Sequence, residues 1–245
     1  MIPSYSSVVP YLTTEQMIEV DRAMMEDYKI ELIQMMENAG RNLAHLARSR
    51  FFAGNARNKR VTVLAGTGGN GGGGLVCARR LHIYGAQVQV LLTRADEAFK
   101  SVPAHQLNIL RVMGVPIFPA DAVSIASSPE LIIDGIIGYS LSGAPRGTAA
   151  TLIRWANKQE PPILSLDAPS GVDTTTGVVF DPAIQATATM TLALPKEGLR
   201  APGVGEHVGE LYLADISVPP DLYAGPGLGI QVAHIFAESD IVRLS

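Results

Sequence analysis

Cysteine is nearly missing: Cys77 stands alone among 245 residues, so no internal disulfide can form. That usage predicts a reducing compartment, the cytoplasm. The five histidines (His45, His82, His105, His207, His234) form no HxH or HxxxH pair, and none neighbours a cysteine cluster. This excludes a zinc site of ordinary spacing. Charge is sparse at 17%, and 19 Lys+Arg against 23 Asp+Glu leave no basic excess, which argues against a nucleic-acid partner. No apolar run reaches the ~18 residues of a membrane helix; LIIDGIIG is broken by Asp134. MIPSYSSVVPYL lacks the basic start and long apolar centre of a signal peptide, so no membrane partner is expected. A hydrophobic content of 47% excludes intrinsic disorder. With no linker or repeat in view, one domain over residues 1–245 is expected.

What the chain does have is glycine, 24 residues or about 10% against a usual ~7%, and the excess is local. The first fifty residues predict two helices. Thr13 or Thr14 caps the first, whose apolar stripe runs Met17, Val20, Met24 and Tyr28. The second carries Leu32, Met35, Met36, Ala39, Leu43 and Leu46, with Gly40 reading as a close helix crossing. After residue 59 the pattern becomes strand, glycine turn, helix, strand. RVTVLAG, QVQVLL, VPIF, ELIIDGIIG and PILSLD predict strands, with helices at LVCARRLHIYG, 102–113 and TAATLIRWANKQ. TMTLALP and GELYLADI add strands near the end. This alternation implies an α/β fold with a mostly parallel sheet, preceded by a helical lead.

Four segments place glycine or polar residues where strands end, which is where open α/β sheets bind ligands. GTGGNGGGG (66–74) has seven glycines in nine residues between a strand and a helix. Its bare backbone N–H groups suit an anion, most simply phosphate. It lacks the Lys-Ser/Thr of a Walker A loop, and no acidic residue stands at the tip of QVQVLL to hold a ribose. LIIDGIIGYSLSGAPRG (131–147) sets Asp134 in an apolar strand and follows it with a second anion-friendly turn. Arg146 there suits either a phosphate or the surface. SLDAPSGVDTTTG puts Asp167 at a strand tip, a position for general acid/base work, with Asp173 as a turn brace. In TLALPKEGL, Lys196 suits a phosphate or a solvated turn. Asn70, Asp134 and Ser170 supply only hard oxygen donors, fit for K⁺, Na⁺, Mg²⁺ or no ion at all.

The order and spacing of ELIQMMENAGRNLA, VTVLAGTGGNGGGGLVCARRL, LIIDGIIGYSLSG, ILSLDAPSGVDTTTG, TLALPKEGL and GELYLADISVPP resemble the NAD(P)HX epimerase family, also called the YjeF N-terminal domain. The resemblance spans nearly the whole chain. It implies a Rossmann-like three-layer sandwich, a homodimer, and epimerisation of the R and S forms of hydrated NADH and NADPH with one K⁺ per subunit. It puts Asn70, Asp134 and Ser170 at the K⁺. It puts Gly69, Asn70, Gly71, Gly72 and Gly73, the turn Gly138, Tyr139, Ser140, Leu141, Ser142, Gly143 and Ala144, and Asp167 at the substrate, with Asp167 catalytic. Where the family loop reads GNNGGDG, this chain has Gly69 for the first Asn and Gly73 for the Asp. A nucleotide-binding module of the same fold that does not epimerise is the alternative reading. No fused dehydratase domain fits in this length, so a separate NAD(P)HX dehydratase is expected to act on the product.

Overall fold

The computed structural model describes residues 2–122 and 128–244. Nine strands form one sheet. They are β1 (Ser4–Tyr5), β2 (Arg60–Ala65), β3 (Gln87–Leu92), β4 (Ile117–Pro119), β5 (Leu131–Gly135), β6 (Ile163–Leu166), β7 (Ala188–Leu192), β8 (Glu210–Ala214) and β9 (Ile241–Leu244), in the order β1-β9-β8-β7-β6-β5-β2-β3-β4. Every pairing is parallel except β8 with β9. The chain runs outward through β2, β3 and β4, then crosses back to place β5 on the other side of β2. That reversal opens a crevice between the β2 and β5 tips.

The helices are α1 (Thr14–Glu26), α2 (Leu32–Leu46), α3 (Gly69–Ile83), α4 (Ser101–Val112), α5 (Gly147–Ala156), α6 (Gly205–Val208) and α7 (Pro220–Ala224). Strand alternation decides which side each residue serves. Val61, Val63 and Ala65 join the larger core with α1 to α4, whereas Leu64 joins Leu152, Ile153 and Ala156 of α5 on the opposite face. The outcome is three layers. Each fully buried Leu or Val in them contributes roughly 1.5–3 kcal/mol of transfer free energy.

Thr13 caps α1 and completes a capping box with Gln16. Of the α1 stripe, Met17, Val20 and Met24 are buried, but Tyr28 is exposed beyond the helix end. Gly40 is a crossing point, as expected: a Cβ there would lie 2.4 Å from Val76 Cβ and 2.6 Å from Gly73 O, so α2 and α3 touch backbone to side chain. The helix after the glycine loop starts at Gly69, six residues before the LVCARRLHIYG start. Four further glycines therefore lie inside it, held helical by packing against α2 rather than by propensity. β1 and β9 carry no clear strand signal and form through pairing at the sheet edge.

Candidate active site

β2 ends in a turn where Gly66 N–H donates to Gly135 O at 3.1 Å. A Cβ on Gly66 would lie 2.0 Å from Ile136 O, and one on Gly71 would lie 1.7 Å from Gly66 O. Only bare backbone lets these three segments meet. The glycine run thus serves packing as well as ligand approach. Gly69 and Asn70 reach the open crevice, whereas Gly71, Gly72 and Gly73 are buried inside α3 and do not line it.

After β6 the backbone turns sharply. Asp167 takes a left-handed conformation (φ 66°), which Asp tolerates better than most residues. Its N–H still donates to Met190 O at 2.7 Å, so the strand pairing continues while the side chain turns into the crevice. Asp167 Oδ1 lies 2.5 Å from Lys196 Nζ, and Oδ2 accepts the Tyr139 N–H at 3.0 Å. Lys196 is fully buried, and it also donates to Leu192 O at 2.9 Å. It is neither the phosphate ligand nor the solvated turn residue that its sequence position suggested. Its charge is committed to Asp167, because a buried ammonium needs a carboxylate more than a strand-end lysine needs water.

Two cavities meet here. One, of about 490 Å³, is walled by α1 and α2 through Met17, Met25, Leu32, Met35 and Met36, with Asp167, Tyr139 and Asp21 as polar groups. The other, of about 310 Å³, is a polar cleft beside the tips of β2, β3 and β5, carrying Thr67, Arg94, Arg146 and Thr148. Gly69, Asn70, Gly138 and Ser140 belong to both. The uncapped N-termini of α3 and α5 open on the cleft, with Gly68 and Arg146 at the N-cap positions. Their free N–H groups favour an anion. Among the described residues Arg94 and Arg146 form no ion pair. Leu141, Ser142, Gly143 and Ala144 line neither cavity, so only the first three residues of that turn reach the crevice.

Gly138 stands where Asp167 and Asn70 converge. A Cβ there would lie 3.0 Å from Asp167 Oδ2 and 3.1 Å from Asn70 Oδ1. Asp134, by contrast, is sealed under the loops. It accepts Ser170 Oγ–H (2.6 Å), Ile136 N–H (3.2 Å), Ser165 Oγ–H (2.8 Å) and Ser170 N–H (2.9 Å). Burial raises its pKa, and the hydrogen bonds only partly oppose this. Among the described residues no cationic side chain pairs with Asp134, and the amide nitrogen of Asn70 is buried without a partner. A buried carboxylate with no counter-charge, a serine hydroxyl and the side-chain oxygen of Asn70 are the hard oxygen donors that suit a cation, whereas the unpartnered Asn70 amide N–H group is a donor and suits an acceptor. Asp173 braces its own turn, accepting from Thr175 N–H, Thr176 N–H and Thr176 Oγ–H.

Sequence reasoning overlooked Asp21, whose one signal is its place four residues after Met17 on the flank of the buried stripe. Arg94 also went unassigned, although it stands two residues past the end of QVQVLL.

Residues 32–198 match the family model described as YjeF-related protein N-terminus. The chain belongs to this family. It is 43% identical to an NAD(P)H-hydrate epimerase of Dehalogenimonas lykanthroporepellens over 89% of its own length and 86% of that protein. It is 31% identical to an NAD(P)H-hydrate epimerase of Rhodopirellula baltica, with 87% of each chain covered. A bifunctional NAD(P)H-hydrate repair enzyme Nnr of Moorella thermoacetica is 36% identical, and there the match spans 41% of the longer protein. The crystal structure of yeast ynu0, YNL200c, superposes with a TM-score of 0.81 at 25% identity, covering 96% of this chain and all of that one. The relationship agrees with the resemblance drawn from the motifs. No helix among the described residues is long and apolar enough to cross a membrane.

Proposed function

We propose that this chain is an isomerase that interconverts the R and S epimers of hydrated NADH and NADPH. The observation that carries this reading is a buried, ion-paired carboxylate, Asp167, facing a methionine-walled chamber that adjoins a cationic cleft. The chamber takes the hydrated nicotinamide ring. The cleft takes phosphate, with Arg94, Arg146 and two helix N-termini as donors.

In the substrate, C6 of the ring carries a hydroxyl and is bonded to the ring nitrogen. Protonating that hydroxyl lets the nitrogen lone pair expel water and leaves a planar cation. Water returning to the other face inverts the centre. Asp167 moves a proton at the C6 oxygen, and its charge opposes that of the cation. Lys196 fixes Oδ1 and the Tyr139 N–H fixes Oδ2, so the carboxylate is already oriented when substrate arrives. The apolar methionine walls keep bulk water from competing for the cation.

Asn70, Asp134 and Ser170 would hold one K⁺ per subunit. When bound, the ion would supply a fixed positive charge to offset the buried Asp134 carboxylate. Asp134 ties the tip of β5 to the turn after β6 through Ser170, and Ser170 Oγ accepts the Ile137 N–H at 2.9 Å. The residues after β5 that face the substrate therefore rest on the proposed ion site. A separate NAD(P)HX dehydratase would consume the product. The remaining expectations are one domain over 1–245, a homodimer and the cytoplasm.

The test is R/S exchange on purified NADHX and NADPHX, followed by NMR. Wild type should equilibrate the epimers. Asp167→Asn should slow exchange by roughly 10²–10⁴-fold while NADP⁺ binding changes little, because phosphate contacts lie in the other cavity. Nucleotide binding without exchange by wild type would replace this reading with that of a non-epimerising module.

A further inference from the structure

Asp21 lies on α1, outside every strand-tip segment, yet it lines the same chamber as Asp167. Tyr139 joins the two. Its N–H donates to Asp167 Oδ2 at 3.0 Å, and its hydroxyl donates to Asp21 Oδ2. Among the described residues Asp21 Oδ1 accepts no hydrogen bond and no cation pairs with Asp21. Neighbouring Arg22, also on the chamber wall, is committed to Glu19, Glu26 and Asp27.

The two carboxyl groups occupy opposed environments. Asp167 is held as one half of an ion pair with Lys196. Burial pushes the Asp21 pKa upward, and the Tyr139 hydrogen bond and the more distant Lys196 charge offset only part of that. Two carboxyls in one site whose surroundings differ in this way divide into a proton donor and a proton acceptor.

The chemistry proposed for this site needs such a division. The R and S hydroxyls project from opposite faces of the ring. A group placed to protonate one of them cannot reach the other without the ring turning over. Acid–base assistance to both the departure and the return of water in a single binding mode therefore takes a group on each face.

We propose that Asp21 is the second catalytic acid–base group of this site, serving the ring face opposite Asp167, with Tyr139 as its positioning residue. The inference rests on the epimerase reading above. For one epimer, the Asp21 carboxylic acid gives its proton to the C6 hydroxyl. The C6–O bond breaks, its electron pair leaves with water, and the nitrogen lone pair forms the C6–N double bond. A water on the Asp167 face adds through an oxygen lone pair, the double-bond pair returns to nitrogen, and the released proton passes to the Asp167 carboxylate. One water leaves and one enters, and proton exchange with solvent resets both carboxyls. The other epimer follows the same path in reverse.

The experiment incubates each separated epimer of NADHX with enzyme in ¹⁸O-labelled water, scoring label uptake and inversion independently. Wild type should do both with both epimers. Asp21→Asn should lose inversion by roughly 10²–10⁴-fold yet still exchange label, without inversion, into the one epimer whose hydroxyl faces Asp167. Asp167→Asn should show the mirror pattern, with label entering only the other epimer. Near-wild-type inversion by Asp21→Asn overturns the proposal, and so does equal loss of label uptake in both epimers. Should Asp21→Asn not fold, Tyr139→Phe releases Asp21 without removing it. The same epimer bias, in weaker form, is then expected, and its absence counts against the proposal. Wild type that neither inverts nor exchanges label would overturn the epimerase reading itself, a result separable from any variant pattern.

Discussion

Lys196 Nζ lies 2.5 Å from Asp167 Oδ1, although the lysine follows β7 and the aspartate follows β6. The lysine is fully buried and the aspartate side chain is 5% exposed, and among the described residues each is the other's only ion-pair partner. Lys196→Met should therefore cost about 3–5 kcal/mol, the effect of stranding a buried charge. Adding Asp167→Asn to it should recover part of that loss. Urea denaturation of the two single variants and the double variant measures the coupling; strictly additive costs would show that the pair is not energetically linked.

Potassium should stabilise the fold. With Asp134 buried and without a counter-cation, replacing choline by K⁺ should stabilise the fold by RT ln(1 + [K⁺]/Kd), about 2.7 kcal/mol at a hundredfold excess over Kd, and so raise Tm. Asp134→Asn keeps the shape and removes the charge, so its melting temperature should become indifferent to the ion. A wild-type Tm that is the same in both salts would remove the cation from this site.

The two glycines that depart from the family loop should behave differently when restored. A Cβ at Gly69 meets nothing nearer than Met36 Cε at 3.9 Å, so Gly69→Asn should change stability by no more than about 0.5 kcal/mol and should sharpen substrate binding. At Gly73 a Cβ would lie 2.8 Å from Leu166 Cδ2 and 3.7 Å from Ala39 Cβ. Gly73→Asp would force a carboxylate among apolar neighbours and should lower the melting temperature clearly. Parallel thermal scans decide; equal shifts would contradict the difference in surroundings.

Acid should weaken, through Glu210, the tie between β8 and the segment that follows α2. Arg50 holds Glu210 by two hydrogen bonds of 2.8 and 2.9 Å, and Tyr212 adds a third at 2.7 Å. The Arg50 hydrogen bonds are the main reason its pKa falls to about 2. Because the folded value lies below the unfolded one, the unfolded chain binds the proton first. This stabilisation is present above roughly pH 4.5 and is lost as pH falls toward 2. Glu210→Gln should flatten that part of the pH–stability curve. An unchanged acid limb would mean that Arg50 and Glu210 contribute little in solution.

Periodicity alone located the interior strands and most helices, because each is long enough for its apolar residues to repeat. RVTVLAG and QVQVLL differ from β2 and β3 by one residue at most. The short edge strands β1 and β9 were not legible, since two to four residues cannot show a period and their pairing comes from β8 and from each other. The glycine loop was legible as a ligand loop, but not as a crossing. Gly72 and Gly73 face α2, and nothing in GTGGNGGGG says which neighbour will press against it.

What the sequence by itself determined is the chemistry available at the strand tips: glycines for close approach after β2, carboxylates after β5 and β6, and too little cysteine, histidine or excess basic charge for other classes of site. Those are properties of residue type and local spacing. The tertiary structure alone decided the partners. It took Lys196 out of solvent and onto Asp167, sealed Asp134 beneath Ser170 and Ile136, and brought Asp21 to Tyr139 from a helix more than a hundred residues earlier in the chain. A charge far along the chain acts on another only after the parallel crossovers have stacked the strand ends and burial has removed the water between them. That removal, which no local window of sequence encodes, gives each of these contacts its strength.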